Sequence, residues 1–143
     1  MTRTVAEIQK LFLSSPRYAV VGASKHQSKY GTKVLQWYLA RNLPVTPVHP
    51  KENELEGVAT VPDLKDLLAP TKTSVSIVTN AKVTLGLLQQ AKQLNIPVLW
   101  LQPGAEDDSV KSYIHANGLE DKVIYGGPCI LVEGDGIRQK SLL

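Results

Sequence analysis

A run of small residues, Gly22-Ala23-Ser24, precedes Gly31, which stands at the start of a predicted helix. Small residues let a ligand approach the backbone closely, and a helix N-terminus attracts negative charge. The spacing departs from the dinucleotide fingerprint G-x-G-x-x-G, because Ser24 replaces the second glycine and Gly31 follows it by seven residues. The pattern predicts a phosphate-binding turn, with a tight turn and close helix packing as the structural alternative.

A second loop of interest follows the second predicted strand and reads Pro47-Val-His-Pro-Lys51. Proteins that bind NAD usually place a carboxylate here, which accepts hydrogen bonds from the ribose 2′-hydroxyl. A lysine instead suits a ribose that carries a phosphate, as in coenzyme A (CoA) or NADP. The loop therefore favours CoA or NADP over plain NAD.

These loops belong to a chain in which short apolar runs alternate with helical patterns, which is typical of a parallel sheet covered on both faces. Strands are predicted at 18–22, 44–48, 74–78, 97–101 and 122–125. Helices are predicted from Thr4 to before Pro16 and at 32–41, 62–68, 82–94 and 106–116. Residues 51–60 read as a polar excursion, and the residues after 125 as a Gly-Pro-rich tail.

The predicted fold class is therefore α/β: a Rossmann-like, doubly wound sheet of about five parallel strands with helices on both faces. Residues 1–143 are expected to form a single domain. In such sheets ligands bind outside the carboxyl ends of the strands. The chemistry is therefore expected in the turns after Val21, Val48, Val78 and Leu101.

Composition narrows the functional classes. The chain has a formal charge of +3, but its 16 basic residues are spread along the sequence, apart from the stretch Lys25–Lys33, so nucleic acid is not indicated. No apolar run approaches the roughly 20 residues needed to cross a bilayer, and no secretory signal is recognised. The single cysteine, Cys129, excludes an internal disulfide. We expect a cytoplasmic protein without a metal site.

Several ordered motifs resemble the small stand-alone CoA-binding domain family, which is similar to the N-terminal domain of the succinyl-CoA synthetase α subunit. The motifs are Val20-Val-Gly-Ala-Ser24, Lys29-Tyr-Gly31, Pro47-Val-His-Pro50 and Val98-Leu-Trp-Leu-Gln-Pro-Gly104. The resemblance runs from about Ser15 to Cys129 and implies a Rossmann-like CoA site. Ligase activity is not implied, because those ligases use a phosphorylated histidine in a second domain that we do not expect here.

The candidate CoA site comprises Gly22, Ala23, Ser24, Lys29, Tyr30, Gly31, His49, Pro50, Lys51, Thr79, Asn80, Ala81, Gln102 and Gly104. The resemblance implies that the first loop holds the CoA phosphates and ribose and that Lys51 lies near the adenosine phosphate. Residues 79–81 fall where relatives line the adenine and pantetheine. His49 departs from the family, which usually has asparagine there. Gln102, in the turn after a strand, is expected to reach the ligand pocket.

Other residues with chemical potential have plainer interpretations. Cys129 matches a cysteine common in the family; it is a redox-sensitive thiol, a partner for a disulfide with CoA, or a buried inert residue, and the last is favoured. Trp100 is expected in the core. His26 and His115 are expected to face solvent rather than ligate a metal.

Three functional hypotheses remain open from sequence. The leading one is binding of CoA or an acyl-CoA without catalysis. The second is an NADP-linked oxidoreductase, although no Tyr-x-x-x-Lys pair is present and Tyr113 and Lys111 have the wrong spacing. The third is an interaction module whose partner contact responds to bound CoA. A homodimer is compatible with each of them.

Overall fold

Five parallel strands form the central sheet of the computed structural model, which describes residues 3–141. The strands of the chain are β1 (Arg17–Val21), β2 (Val45–Val48), β3 (Glu54–Leu55), β4 (Val58–Ala59), β5 (Thr73–Ile77), β6 (Val98–Leu101) and β7 (Val123–Ile124). The sheet order is β2-β1-β5-β6-β7, and β3 and β4 form a separate antiparallel pair. The chain direction across the sheet reverses between β1 and β5, which is where ligands bind in doubly wound sheets.

Helices cover both faces of this sheet. They are α1 (Val5–Phe12), α2 (Tyr30–Ala40), α3 (Ala81–Leu94), α4 (Asp108–Ala116) and α5 (Ile130–Ser141). The buried side chains of α1, α2 and α5 belong to one core cluster, and those of α3 and α4 belong to the other. This arrangement confirms the Rossmann-like α/β prediction. Among the described residues, no helix combines the length and the apolar character that crossing a membrane requires.

Alternation along the central strands explains why two cores form. In β1, Tyr18 and Val20 pack with α1 and α2, whereas Ala19 and Val21 pack with α3. Because successive side chains of a strand point to opposite faces, an uninterrupted apolar run serves both cores. Trp100 is fully buried, which confirms its predicted core position. Each large apolar side chain buried in this way contributes about 1.5–3 kcal/mol.

Two predicted segments differ from the structure, and a third contains strands that were not predicted. The helix predicted at 62–68 is only a 3₁₀ turn, Leu64–Asp66, because Leu67 already has an extended backbone. The polar excursion at 51–60 contains the hairpin of β3 and β4, whose two-residue strands leave almost no periodic signal. The Gly-Pro-rich tail after residue 125 becomes α5, whose first residue, Ile130, is fully buried.

Candidate functional site

The turn after β1 is closely packed against two neighbouring segments. Gly22 has φ +118°, and a Cβ placed on it would lie 2.1 Å from the carbonyl oxygen of Val78, just beyond β5. A Cβ on Gly31 would lie 2.2 Å from the carbonyl oxygen of Gly22. The close-packing interpretation therefore applies to both glycines. This packing also brings the N-terminus of α2 to the carboxyl edge, between β1 and β5.

The N-terminus of α2 differs from those of α1, α3 and α4. Its cap residue, Lys29, makes no side-chain cap hydrogen bond, whereas Thr4, Asn80 and Asp107 each accept one from their own helix. The first N–H groups of a helix have no intrahelical acceptor, and the helix dipole adds positive potential there. The start of α2 can therefore donate hydrogen bonds to an anion.

Ser24 holds the loop in front of α2 in place. Its backbone N–H donates to Thr32 Oγ1 at 3.1 Å, and the Thr32 hydroxyl donates to the Ser24 carbonyl at 3.0 Å. Its side-chain oxygen accepts from the backbone N–H of His26. The neighbouring Ala23 is buried. Ser24 therefore shapes the loop through local bonds, and Thr32 is a supporting residue that sequence reasoning missed.

His49 organises the loop after β2. Its Nδ1 accepts hydrogen bonds from the backbone N–H groups of Lys51, at 3.1 Å, and Glu52, at 3.0 Å. An asparagine side-chain oxygen accepts backbone N–H groups in the same way in an Asx turn, so the histidine reproduces the local role of an asparagine. Pro50 and Lys51 are exposed. An ion pair of 2.9 Å between Lys25 and Glu52 ties this loop to the first one.

The loop after β5 uses its side chains to start α3. Asn80 Oδ1 accepts from the backbone N–H of Val83 at 3.0 Å, and the Thr79 hydroxyl lies 2.8 Å from that of Thr84. Ala81 is the first residue of α3. Because Val78 lies against Gly22, this loop lies beside the turn after β1.

The loop after β6 joins the first loop through a buried amide. Gln102 is fully buried, and its Oε1 accepts from the backbone N–H of Ile130 at 3.0 Å and from the Tyr30 hydroxyl at 3.3 Å. The Tyr30 hydroxyl also lies 2.7 Å from Cys129 Sγ. Gly104 is exposed two residues beyond Gln102. Gln102 thus contacts Tyr30 at the start of α2. Gly104, which has no side chain, makes no such contact.

Cys129 contacts a candidate site residue, and this contact was not predicted from the sequence. The thiol is half-buried rather than buried, and it contacts Tyr30 directly. Burial, and secondarily the bond to Cys129, raise the pKa of Tyr30 well above its ordinary value, so the phenol keeps its proton. The available signal was positional: Cys129 follows the fifth strand, at the same carboxyl edge as the four turns that were considered.

Glu106 ties the fourth loop to the segment before Cys129. Its Oε1 accepts from the backbone N–H of Gly126 at 2.7 Å. Its other oxygen, Oε2, is buried and lies 3.9 Å from Lys111 Nζ. The structure begins α4 two residues later than predicted, at Asp108, with Asp107 as its cap. The Glu106 carboxylate thus connects the Gly126 backbone to Lys111 of α4.

The comparisons with known proteins bear directly on this edge. A family profile described as the CoA binding domain matches residues 16–135. The chain belongs to the CoA-binding domain family. The matched range includes all four predicted loops, Cys129 and the start of α5. A search among curated proteins found no match.

Solved structures agree with the fold of this CoA-binding domain. A conserved hypothetical protein from Pyrococcus furiosus is 32% identical, with a TM-score of 0.73 over 82% of this chain and 97% of that one. A hypothetical protein from Pyrococcus horikoshii is 21% identical, with a TM-score of 0.79 over 95% and 93%.

A larger enzyme contains a similar fold. The dinucleotide-forming acetyl-coenzyme A synthetase 1 of Candidatus Korarchaeum cryptofilum is 21% identical, with a TM-score of 0.70 over 85% of this chain. The match covers only 27% of the synthetase chain. The CoA-binding domain therefore resembles one part of that enzyme in fold.

Proposed function

We propose that this domain binds CoA or an acyl-CoA at the carboxyl edge of the sheet, between β1 and β5, and that it binds the cofactor without turning it over. Membership of the CoA-binding family supports the ligand class. The observation that carries the placement is the uncapped start of α2 beside the Gly22 turn. The first N–H groups of α2, which the Lys29 side chain does not cap, suit the CoA diphosphate.

Lys51 is proposed to bind the 3′-phosphate of the adenosine. Its ammonium group is exposed, and within residues 3–141 it has no ion-pair partner, whereas the nearby Lys25 is paired with Glu52. His49 fixes the backbone on which Lys51 stands. An ammonium group on a fixed loop suits a phosphate monoester better than a neutral ribose hydroxyl.

The other hypotheses fit less well. No comparison supports NADP as the cofactor, and the Tyr30 hydroxyl is engaged by Gln102 and Cys129 rather than by a lysine. A CoA-responsive interaction module is compatible with CoA binding and is an extension of it. We place the protein in the cytoplasm, where thiols such as Cys129 stay reduced.

The test is calorimetric titration of the full chain with CoA, dephospho-CoA and NADP. We expect CoA to bind, and dephospho-CoA to bind about tenfold more weakly, which corresponds to about 1.4 kcal/mol for one charge-assisted contact. Lys51→Ala should weaken CoA binding about tenfold as well, and it should leave the affinity for dephospho-CoA nearly unchanged. This selective loss would identify the phosphate that Lys51 contacts.

The matched control is Lys122→Ala, which removes an exposed lysine. Lys122 lies just before β7, the outer strand on the far side of the sheet from β2. It changes the net charge by the same amount as Lys51→Ala, but it should leave the affinities for CoA and dephospho-CoA unchanged. Equal losses in Lys51→Ala and Lys122→Ala would assign the effect to overall charge. A folded protein that shows no affinity for millimolar CoA, or that prefers NADP, would refute the proposed function.

A further inference from the structure

Cys129 lies where the last strand and the last helix meet at the carboxyl edge. It follows β7 by five residues and directly precedes α5. The thiol is half-buried, and the glycines at 126 and 127, just before it, are exposed and have no neighbouring atoms around their open faces. Cys129 is therefore partly accessible, beside an open and exposed stretch of backbone.

The Gln102 amide gives the same place a second polar feature. Ile130 N–H donates to its Oε1, which fixes the orientation of the amide because only the oxygen can accept. The Nε2 group is buried and has no hydrogen-bond partner among the described residues. A buried donor without an acceptor is unfavourable, so this amide favours a ligand that brings an acceptor. The amide carbonyl next to the CoA thiol is such an acceptor.

We propose that Cys129 is the exchange site for the thiol end of bound CoA, where it takes up one CoA from a CoA disulfide. This inference rests on the proposed function. The Cys129 thiolate attacks one sulfur of the CoA disulfide, a Cys129–CoA disulfide bond forms, and the S–S bond of the reagent breaks. One CoA thiolate leaves and takes a proton from solvent. Oxidation state is conserved, because one disulfide replaces another.

Tyr30 is placed to stabilise the attacking sulfur. Its hydroxyl has one proton and two neighbours, Gln102 Oε1 at 3.3 Å and Cys129 Sγ at 2.7 Å. When the thiol is protonated, its hydrogen can point to the Tyr30 oxygen. When the thiol ionises, the Tyr30 proton can turn to the sulfur, since Gln102 Oε1 keeps the Ile130 N–H as a donor. The raised pKa of Tyr30 keeps that proton in place.

The position of Tyr30 connects this exchange site to the phosphate site. Tyr30 is the first residue of α2, and the next residue, Gly31, touches the Gly22 turn. One residue therefore joins the proposed phosphate donors to the thiol. CoA held by its phosphates raises the local concentration of its sulfur at Cys129, which a disulfide lacking those phosphates cannot do.

The experiment follows the intact mass of the reduced full chain after mixing with CoA disulfide or with glutathione disulfide. We expect the gain of one CoA less two hydrogens, reversed by dithiothreitol, at a rate at least about tenfold higher than that with glutathione disulfide. Cys129→Ser should show no gain. Tyr30→Phe should react about tenfold more slowly at saturating CoA disulfide. The control Tyr113→Phe, which changes a half-buried tyrosine of α4, should react like the parent.

Calorimetry with reduced CoA and thermal melts of each variant separate the outcomes. If reduced CoA binds but the two disulfides react equally, or Cys129 stays unmodified, this inference is overturned and the proposed function stands. If reduced CoA does not bind the folded chain, the proposed function fails and the inference with it. A Tyr30→Phe variant that keeps its melting temperature and its reaction rate would remove Tyr30 from the exchange step.

Discussion

His49 illustrates how one side chain determines the geometry of a binding loop. Its Nδ1 accepts from two consecutive backbone N–H groups, so the ring carries its proton on Nε2 in this arrangement. A protonated imidazole has no acceptor and would release both groups. His49 therefore fixes the backbone of residues 51 and 52 through a single ring nitrogen.

Substitution of His49 tests this role. His49→Ala removes the one acceptor of both hydrogen bonds and should weaken CoA binding about fivefold, since a lost hydrogen-bond acceptor is worth about 1 kcal/mol. His49→Asn supplies an oxygen near the same place and should keep most of the affinity. Calorimetry measures both variants, and His26→Ala, in the exposed first loop, is the control. If His49→Ala and His49→Asn bind CoA equally well, the hydrogen-bond acceptor at residue 49 is not what positions Lys51.

For single residues, the sequence predicts positions that follow a recognisable strand better than it predicts contacts between residues far apart in the chain. The Gly22 turn, Lys51 and Gln102 were placed because each follows a recognisable strand. The contact between Tyr30 and Cys129 joins residues 99 positions apart, and it depends on where α5 begins. Since the tail was predicted without a helix, nothing in the sequence pattern brought the thiol to Tyr30.

Among the elements, α5 is held by an unusual contact with α2. A Cβ on Gly134 would lie 2.4 Å from Cζ2 of Trp37, a rigid ring that is 5% exposed. The Trp37 ring is also stacked by the Arg41 guanidinium, which pairs with Asp135. The glycine is therefore required by the close approach of the two helices. Its helix positions Cys129.

Two glycines of α5 provide a matched pair of substitutions. Gly136→Ala meets open space and should stabilise the fold by about 0.5–1 kcal/mol through helix propensity. Gly134→Ala gains the same propensity but collides with Trp37, and overpacking of this kind typically costs about 1–3 kcal/mol. Urea denaturation measures both. Stabilisation by both alanines would show that Trp37 moves aside and that the helix contact is loose.

The elements that were predicted well are those with long periodic signals. The buried strands and the helices α2 and α3 lie within two residues of their predicted ends, because apolar spacing determines them. The last helix was missed since Gly126, Gly127 and Pro128 precede it and two glycines lie inside it. Glycine normally indicates a break, and only the packing against Trp37 makes it favourable here.

For the whole molecule, the proposed site is inseparable from the core. Its loops follow β1, β2, β5 and β6, which are hydrogen-bonded neighbours in one sheet. Adjacent residues of β1 belong to opposite core clusters, so neither cluster can come apart without disturbing the strand they share. We therefore expect the domain to unfold in one cooperative step, as small single domains usually do.

Thermal unfolding with and without CoA tests this coupling. A ligand at one hundred times its Kd stabilises the native state by about 2.7 kcal/mol, which should raise the Tm of a domain of this size by about 10 °C. Tryptophan fluorescence follows the core around Trp37 and Trp100, and far-UV circular dichroism follows all the helices. CoA should raise the Tm reported by both signals by the same amount. It should raise the Tm of Lys51→Ala less at the same CoA concentration. A rise in one signal alone would mean that CoA stabilises only part of the molecule, and that the site and the core unfold separately.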